Sequence, residues 1–209
     1  MTNFAVDVVD RQARQPERVA IAWHVPDAVP LFITFHDLKL RSDKVAQVLY
    51  DHGVRYGDHV LILLPLRPEW WESILGCMKI GAVAVLGEDI PTAERFIHGL
   101  NAFRASTLIA NMAIAEQVEA IVARTPVSCR IGVGWEREGW VDYDRRVSLA
   151  TRQFDPVPTR PDDPCLVLLP DDIHSSPVTF CHGDERFDLD LLDAWRKGDT
   201  IEAYARAAP

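Results

Sequence analysis

The chain has 209 residues, with 22 Lys and Arg against 31 Asp and Glu, which gives a formal net charge of −9. We expect no nucleic-acid partner, because phosphate neutralisation needs a basic surface. No apolar run approaches the roughly 20 residues of a membrane-spanning helix, and the first residues lack the features of a signal peptide. We therefore expect a cytoplasmic globular protein with no membrane partner.

Helices and strands alternate in the first part of the predicted structure. Apolar periodicity predicts an N-terminal helix, strands at 19–23 and 31–35, and a helix over 35–51. Val60 to Leu64 is a run of five apolar residues without alternation. Such a run is typical of a parallel strand that is covered on both faces.

The alternation continues as far as residue 133. The further predicted elements are helices at 69–80, 91–103 and 113–124 and strands at 82–86, 107–110 and 128–133. We expect residues 135–161 to be irregular and residues 164–170 to form a last apolar strand. This order predicts an α/β fold with a doubly wound, mostly parallel sheet flanked by helices.

Five blocks of the sequence carry a family resemblance in order and spacing. They lie at 3–10, 33–38, 53–60, 68–83 and 160–164. Together they resemble the N-terminal portion of the adenylate-forming (AMP-binding) acyl-CoA synthetases, and in particular the medium-chain acyl-CoA type. The resemblance implies a domain over 1–169 that corresponds to the first subdomain of these enzymes. It leaves 170–209 as a phosphate-loop remnant and a short helical tail that packs on the sheet or on a partner.

The resemblance also implies where the chemistry of the family would lie. After the strand that matches 165–169, members carry a loop of the form Thr-Ser-Gly-Thr-Thr-Gly-x-Pro-Lys, whose backbone N–H groups, hydroxyls and lysine bind ATP phosphates. Pro177 matches the proline of that loop, and His182 matches a histidine that commonly follows it. The aligned residues are Pro170, Asp171, Asp172, Ile173, His174, Ser175, Ser176, Pro177 and Val178.

The other positions of this loop depart from the family pattern. Asp171 and Asp172 bring negative charge to the place where a polyphosphate would lie, and Pro170 lacks a backbone donor. Val178 stands in the lysine position, and Asp172 and Ser175 stand in the glycine positions. We therefore expect no nucleotide cofactor, no catalytic residues and an inactive domain.

Other candidate sites are weaker. A metal site would draw on polar residues near the loop: His174, Cys181, His182, Asp184 and Glu185. Adjacent Cys181 and His182 are poorly spaced to bind one ion, so we expect no metal. The chain has no Gly-x-Ser-x-Gly motif for a nucleophilic serine, and its four cysteines are expected to be reduced thiols.

The tail predicts a helix with an apolar stripe of Leu189, Leu192 and Trp195. Two interpretations stay open for this stripe: it covers the chain's own sheet edge, or it is an interface with another protein domain or subunit. Self-association is a further possibility, since a part of a larger fold exposes surface that the rest would cover.

These patterns lead to three hypotheses about function. In the first, the chain is an inactive synthetase-like domain with a structural, adaptor or docking role, for example in the loading region of a polyketide or nonribosomal peptide synthase. Alternatively, it is one part of an acyl-CoA ligase that a second polypeptide completes. The third alternative is a domain that binds an acyl-type or CoA-type ligand at the carboxyl ends of the strands.

Overall fold

The computed structural model describes residues 2–87, 92–123, 125, 127–151, 153–170, 175–185 and 190–205. The helices are a π-helix at Ala5–Asp10, then α1 (Phe35–Asp51), α2 (Pro68–Ile80), α3 (Ala93–Phe103), α4 (Met112–Val122), α5 (Tyr143–Leu149) and α6 (Asp190–Lys197). The strands are β1 (Val19–His24), β2 (Leu31–Thr34), β3 (His59–Leu63), β4 (Val83–Leu86), β5 (Thr107–Ala110), β6 (Cys129–Gly132), β7 (Val141–Asp142), β8 (Pro164–Leu168), β9 (Val178–Cys181) and β10 (Ile201–Tyr204).

Seven of these strands form one sheet in the order β7-β6-β5-β3-β4-β8-β9. The first six strands in that order run parallel to one another, and the last strand, β9, is antiparallel to β8. In β3, Val60 and Ile62 join the apolar core beneath α1 and α2, whereas Leu61 and Leu63 join a second core beneath α3 and α4. The predicted doubly wound α/β fold is therefore confirmed.

The local sequence explains the two helices that cover one face. Thr34 caps α1 in a capping box with Asp37, and α2 begins at Pro68 and ends at Gly81, which has a φ of 76°. Gly76 lets α1 and α2 approach closely, because a Cβ at this position would lie 2.7 Å from Cγ1 of Val45.

The expectation of irregular structure over 135–161 is wrong in part, because β7 and α5 lie in this segment. Asp142 caps α5 by accepting a hydrogen bond from the backbone N–H of Arg145 at 3.0 Å. The helix buries Tyr143 and Val147 while the charged residues between them stay on the surface. Two buried residues in a short charged run gave too weak a pattern to predict it.

The second sheet has three strands in the order β10-β1-β2. Helix α6 packs on it: Trp195 is fully buried, donates from Nε1 to the Ala20 carbonyl at 3.0 Å and meets Phe35 edge-on. Leu192 is buried as well, and Leu189 lies outside the described residues. Leu192 and Trp195 thus contribute to the chain's own core and do not stand on an open surface.

The expectation that the segment 164–170 forms the last strand is wrong, because two further strands follow it and contribute to both sheets. β9 extends the seven-stranded sheet, and β10 pairs with β1 through the register Ile21↔Ile201 and Trp23↔Ala203. Within the described part of the chain, no helix is long and apolar enough to cross a membrane.

Candidate phosphate-loop site at the β8–β9 hairpin

The segment that resembles a phosphate loop connects β8 to β9. The two strands are antiparallel, with Leu168 opposite Val178 and Val167 opposite Thr179. β8 runs parallel to β4, so the segment begins at the carboxyl edge of the parallel strands, where open sheets commonly bind ligands. The position suits a ligand site, and its chemistry depends on the side chains.

The described side chains of this segment are small and uncharged. Pro170 and Pro177 are half-buried, and Ser175 and Ser176 are exposed. Val178, at the position of the family lysine, begins β9 with 44% of its side chain exposed. Asp171, Asp172, Ile173 and His174 lie outside the described residues.

The charge around the hairpin has one sign. From residue 161 to residue 185 the sequence contains six acidic residues and no Lys or Arg. Two like charges 4 Å apart repel by about 4 kcal/mol at an effective dielectric of 20. A polyphosphate at this place would meet such repulsion without a neighbouring cation from the hairpin.

His182 lies buried in the turn after β9, with 2% of its surface exposed. The ring Nδ1 accepts a hydrogen bond from the backbone N–H of Phe4 at 3.3 Å, and the backbone N–H of His182 donates to the Asp163 carbonyl at 3.0 Å. Burial lowers the pKa of His182 to about 4, so the ring is neutral at pH 7. The residue that matches the family histidine therefore joins the end of the hairpin to the N-terminal segment through the hydrogen bond from Phe4.

The candidate metal residues do not assemble in the described part of the chain. There, no group of three His, Cys, Asp or Glu side chains is placed to hold an ion, and His174 lies outside that part. Asp184 accepts a hydrogen bond from the backbone N–H of Cys181 at 2.7 Å, which is a turn contact.

The four cysteines are free, and three of them are buried. Burial raises the pKa of Cys129 to about 11 and raises the pKa values of Cys77 and Cys165 further. Only a thiolate is a strong nucleophile, so these three side chains are poor candidates for covalent catalysis at neutral pH.

The sequence did not predict a cluster of four charged residues beneath the π-helix, two of which are fully buried. Lys79 of α2 and Asp43 of α1 are fully buried, with Lys79 Nζ 2.6 Å from Asp43 Oδ1 and 2.9 Å from Asp10 Oδ1. Lys39 closes the set at 2.6 Å from Asp43 Oδ2. We call these four residues the Lys79 cluster.

A second buried contact joins α2 to α1 and α5. Glu72 accepts hydrogen bonds from Arg41 Nε at 3.0 Å and from the Tyr143 hydroxyl at 2.7 Å. Burial raises the pKa of Glu72 despite these two donors. The contact fixes three helices on one face of the large sheet, and its position inside the fold suits a structural role.

The fold agrees with comparisons to known proteins. The model of a family described as AMP-binding enzyme matches residues 8–169. The chain therefore belongs to the AMP-binding enzyme family, which confirms the resemblance seen in the sequence blocks.

Curated relatives are acyl-coenzyme A synthetases. The chain is 28% identical over 204 residues to mitochondrial acyl-coenzyme A synthetase ACSM5 of Mus musculus, covering 93% of this chain and 35% of that protein. It is 26% identical over 220 residues to mitochondrial acyl-coenzyme A synthetase ACSM4 of Rattus norvegicus, covering 95% of this chain and 38% of that protein. The chain thus spans just over a third of the length of these relatives.

Solved structures agree on the fold. An anthranilate CoA ligase, AuaEII, solved with anthranoyl-AMP, superposes with a TM-score of 0.85 at 20% identity, over 99% of this chain and 45% of that one. An acyl-CoA synthetase of Brucella canis superposes with a TM-score of 0.75 at 25% identity, over 85% of this chain and 32% of that one.

Proposed function

We propose that this chain is a non-adenylating domain of the AMP-binding family with a structural or docking role. The observation that carries the proposal is the chemistry of the hairpin segment that resembles the phosphate loop. The scaffold around this segment is retained, whereas the residues that would hold a triphosphate are replaced.

Two physical arguments support the absence of ATP chemistry. The first is electrostatic, because Asp171 and Asp172 occupy the serine and glycine positions of the phosphate-loop pattern and Val178 occupies the lysine position. The second argument concerns the backbone of the loop, both its hydrogen-bond donors and its conformation. Pro170 offers no N–H group, and residues other than glycine at 172 and 175 restrict the backbone that a phosphate-cradling loop needs.

The contacts of the hairpin with the rest of the fold support a structural role. His182 holds the N-terminal residues through the Phe4 N–H, and β9 extends the seven-stranded sheet. The partner of such a domain would be another protein domain or subunit. A polyketide or nonribosomal peptide synthase loading region stays a prediction for that setting.

ATP–pyrophosphate exchange tests the proposal directly. Purified protein is assayed with a panel of aliphatic and aromatic carboxylic acids, and we expect no exchange above the protein-free blank. In parallel, ATP is titrated calorimetrically into the natural chain and into a D171S/D172G/V178K variant. The variant reverses all three charge changes and restores one glycine, so we expect its affinity for ATP to rise by about tenfold or more.

Either of two results would overturn the proposal: exchange by the natural chain with any acid, or saturable ATP binding that the D171S/D172G/V178K variant does not improve. A V25K variant adds a lysine at an exposed position outside the hairpin and serves as the control for added charge.

A second candidate function is favoured by one observation, the 35% coverage of the relative. Under it, a second polypeptide supplies the remaining two-thirds and the pair forms a ligase. Exchange activity that appears only when a tagged chain is purified with a co-purifying synthetase-like protein would establish this alternative. Exchange that stays absent in the purified pair would reject it.

A further inference from the structure

We propose that a cavity between the N-terminal π-helix and α1 binds a small phosphate-bearing anion. The cavity has a volume of about 510 Å³, which is within the usual size of ligand sites. Its charged and titratable lining residues are Asp7, Asp10, Arg11, Arg14, His36 and Lys39. This site is independent of the hairpin and of the function proposed above.

Both carboxylates of the lining are already engaged. Asp7 Oδ2 accepts a hydrogen bond from the backbone N–H of Asn3 at 2.8 Å. Asp10 Oδ1 lies 2.9 Å from Nζ of the buried Lys79. Neither aspartate pairs with an arginine of the cavity in the described part of the chain.

Lys39 is engaged as well, through its contact with Asp43. The Lys79 cluster contains two lysines and two aspartates, so as a set it has no net charge. It forms a neutral floor that neither attracts nor repels an anion. The net charge of the cavity therefore depends on Asp7 and the two arginines.

Arg11 and Arg14 supply the excess positive charge. They are exposed and have no side-chain hydrogen bond or ion pair to any other described residue. With Asp7 they leave the cavity at a charge of +1, in a chain whose net charge is −9. A planar guanidinium binds phosphate oxygens through two parallel N–H groups, and two guanidiniums beside one cavity suit a phosphate better than a neutral ligand.

His36, in the first turn of α1, lines the same cavity. This end of α1 already carries the Asp37 carboxylate of its capping box, so the two arginines and not the helix end supply the attraction for an anion.

A second cavity offers a matched comparison within the same chain. It too has a volume of about 510 Å³ and is lined by arginines and acidic residues. Three arginines face three carboxylates there: Arg137, Arg145 and Arg146 against Glu136, Glu138 and Asp142. Arg137 also pairs at 3.6 Å with Glu119, so this cavity has no excess of positive charge.

Sodium pyrophosphate is the probe, titrated calorimetrically at constant ionic strength into the whole chain. We expect saturable binding at one site and ¹⁵N chemical-shift changes confined to residues around Arg11, Arg14 and His36. An R11Q/R14Q variant is expected to bind about tenfold or more weakly. An R145Q/R146Q variant removes the same charge at the second cavity and is expected to bind within about twofold of the natural chain.

Three results would overturn the proposal. They are no saturable binding by the natural chain, equal losses in the two double variants, and shift changes centred on other residues. Sodium acetate tests the ligand class, because equal affinity for acetate would contradict recognition of phosphate. Circular dichroism of each variant checks that the fold is retained, and the shift changes in the natural chain provide a readout that needs no variant.

Discussion

The Lys79 cluster and the β8–β9 hairpin contrast in how this chain treats charge. In the Lys79 cluster, each buried charge lies within 2.9 Å of an opposite one. In the hairpin segment from 161 to 185, six acidic residues occur with no Lys or Arg in the segment itself, and the buried titratable ring of His182 is neutral. Charges are thus balanced where the scaffold buries them and unbalanced in the segment that resembles a phosphate loop.

The difference indicates what has been retained in this member of the family. An unpaired buried charge costs about 3–5 kcal/mol, a large share of the roughly 5–15 kcal/mol that stabilises a typical domain, so paired charges in the scaffold are under strong physical constraint. A surface loop can carry repelling aspartates at little cost to folding, because water screens them. Under the function proposed above, the hairpin can lose its phosphate contacts while the core of the fold stays intact.

The largest expected effect tests the cluster. Lys79→Met removes the cation that lies between Asp10 and Asp43, so that Asp10 loses its ion-pair partner and the fully buried Asp43 keeps only the partly exposed Lys39. We expect a loss of about 3–5 kcal/mol in the free energy of unfolding, measured by urea denaturation. Burial already raises the pKa of Asp10, which is consistent with its dependence on this partner.

Lys39→Met is the control for that prediction. Lys39 is partly exposed, and its removal leaves Asp43 paired with Lys79. We expect a loss of less than about 1 kcal/mol. Similar losses in the two variants would contradict the view that the buried lysine balances the cluster.

A smaller expected effect is the pH dependence that His182, next to the hairpin, gives to the free energy of unfolding. Because the pKa of His182 is lowered to about 4, the unfolded chain takes up a proton between about pH 6.5 and pH 4 that the folded chain does not. The contribution of His182 to stability is therefore complete above pH 6.5 and is lost as the pH falls towards 4. We expect this loss to reach about 3 kcal/mol.

His182→Asn isolates this contribution, because asparagine offers an acceptor near the Phe4 N–H and does not titrate. Unfolding free energies of the natural chain and the variant are measured from pH 7.5 to pH 4, and the natural chain should fall more steeply. His98→Asn, at an exposed histidine, should leave the natural slope unchanged. Parallel curves for the natural chain and His182→Asn would show that the buried ring does not control the slope.

The smallest effect concerns Glu72. Tyr143→Phe removes one of its two donors and leaves Arg41 in place, so we expect a loss of about 1–2 kcal/mol. Tyr50→Phe is the control, since its exposed hydroxyl has no hydrogen-bond partner among the described residues, and we expect a loss below about 0.5 kcal/mol. Calorimetric melting of both variants compares the two losses, and equal losses would argue against a stabilising contact at Glu72.

Local signals made much of the fold predictable. Pro68 and Gly81 mark the two ends of α2, and the apolar run that begins at Val60 identifies a central strand. These signals act over a few residues, so a single sequence reveals them. They are also the signals that identified the family.

Long-range pairings were not predictable in the same way. Lys79 is separated from Asp10 by 69 residues, and no sequence pattern indicates that a lysine in a helix is buried. The pairing of β10 with β1 and the division of strands between two sheets likewise depend on tertiary contacts. The hairpin site was predicted from the family motif, and its electrostatic character from the sequence around it.

The β1–β10 pairing has a consequence for the order of folding. Ile21 and Trp23 pair with residues about 180 positions later in the chain, so their ladder has a very high contact order. The α1–α2 unit and the central parallel strands can form earlier, whereas the β1–β10 pair cannot form until residue 204 has been synthesised. During that interval β2 is the strand available to pair with β1, and the other edge of β1 stays open to incorrect pairing in the nascent chain.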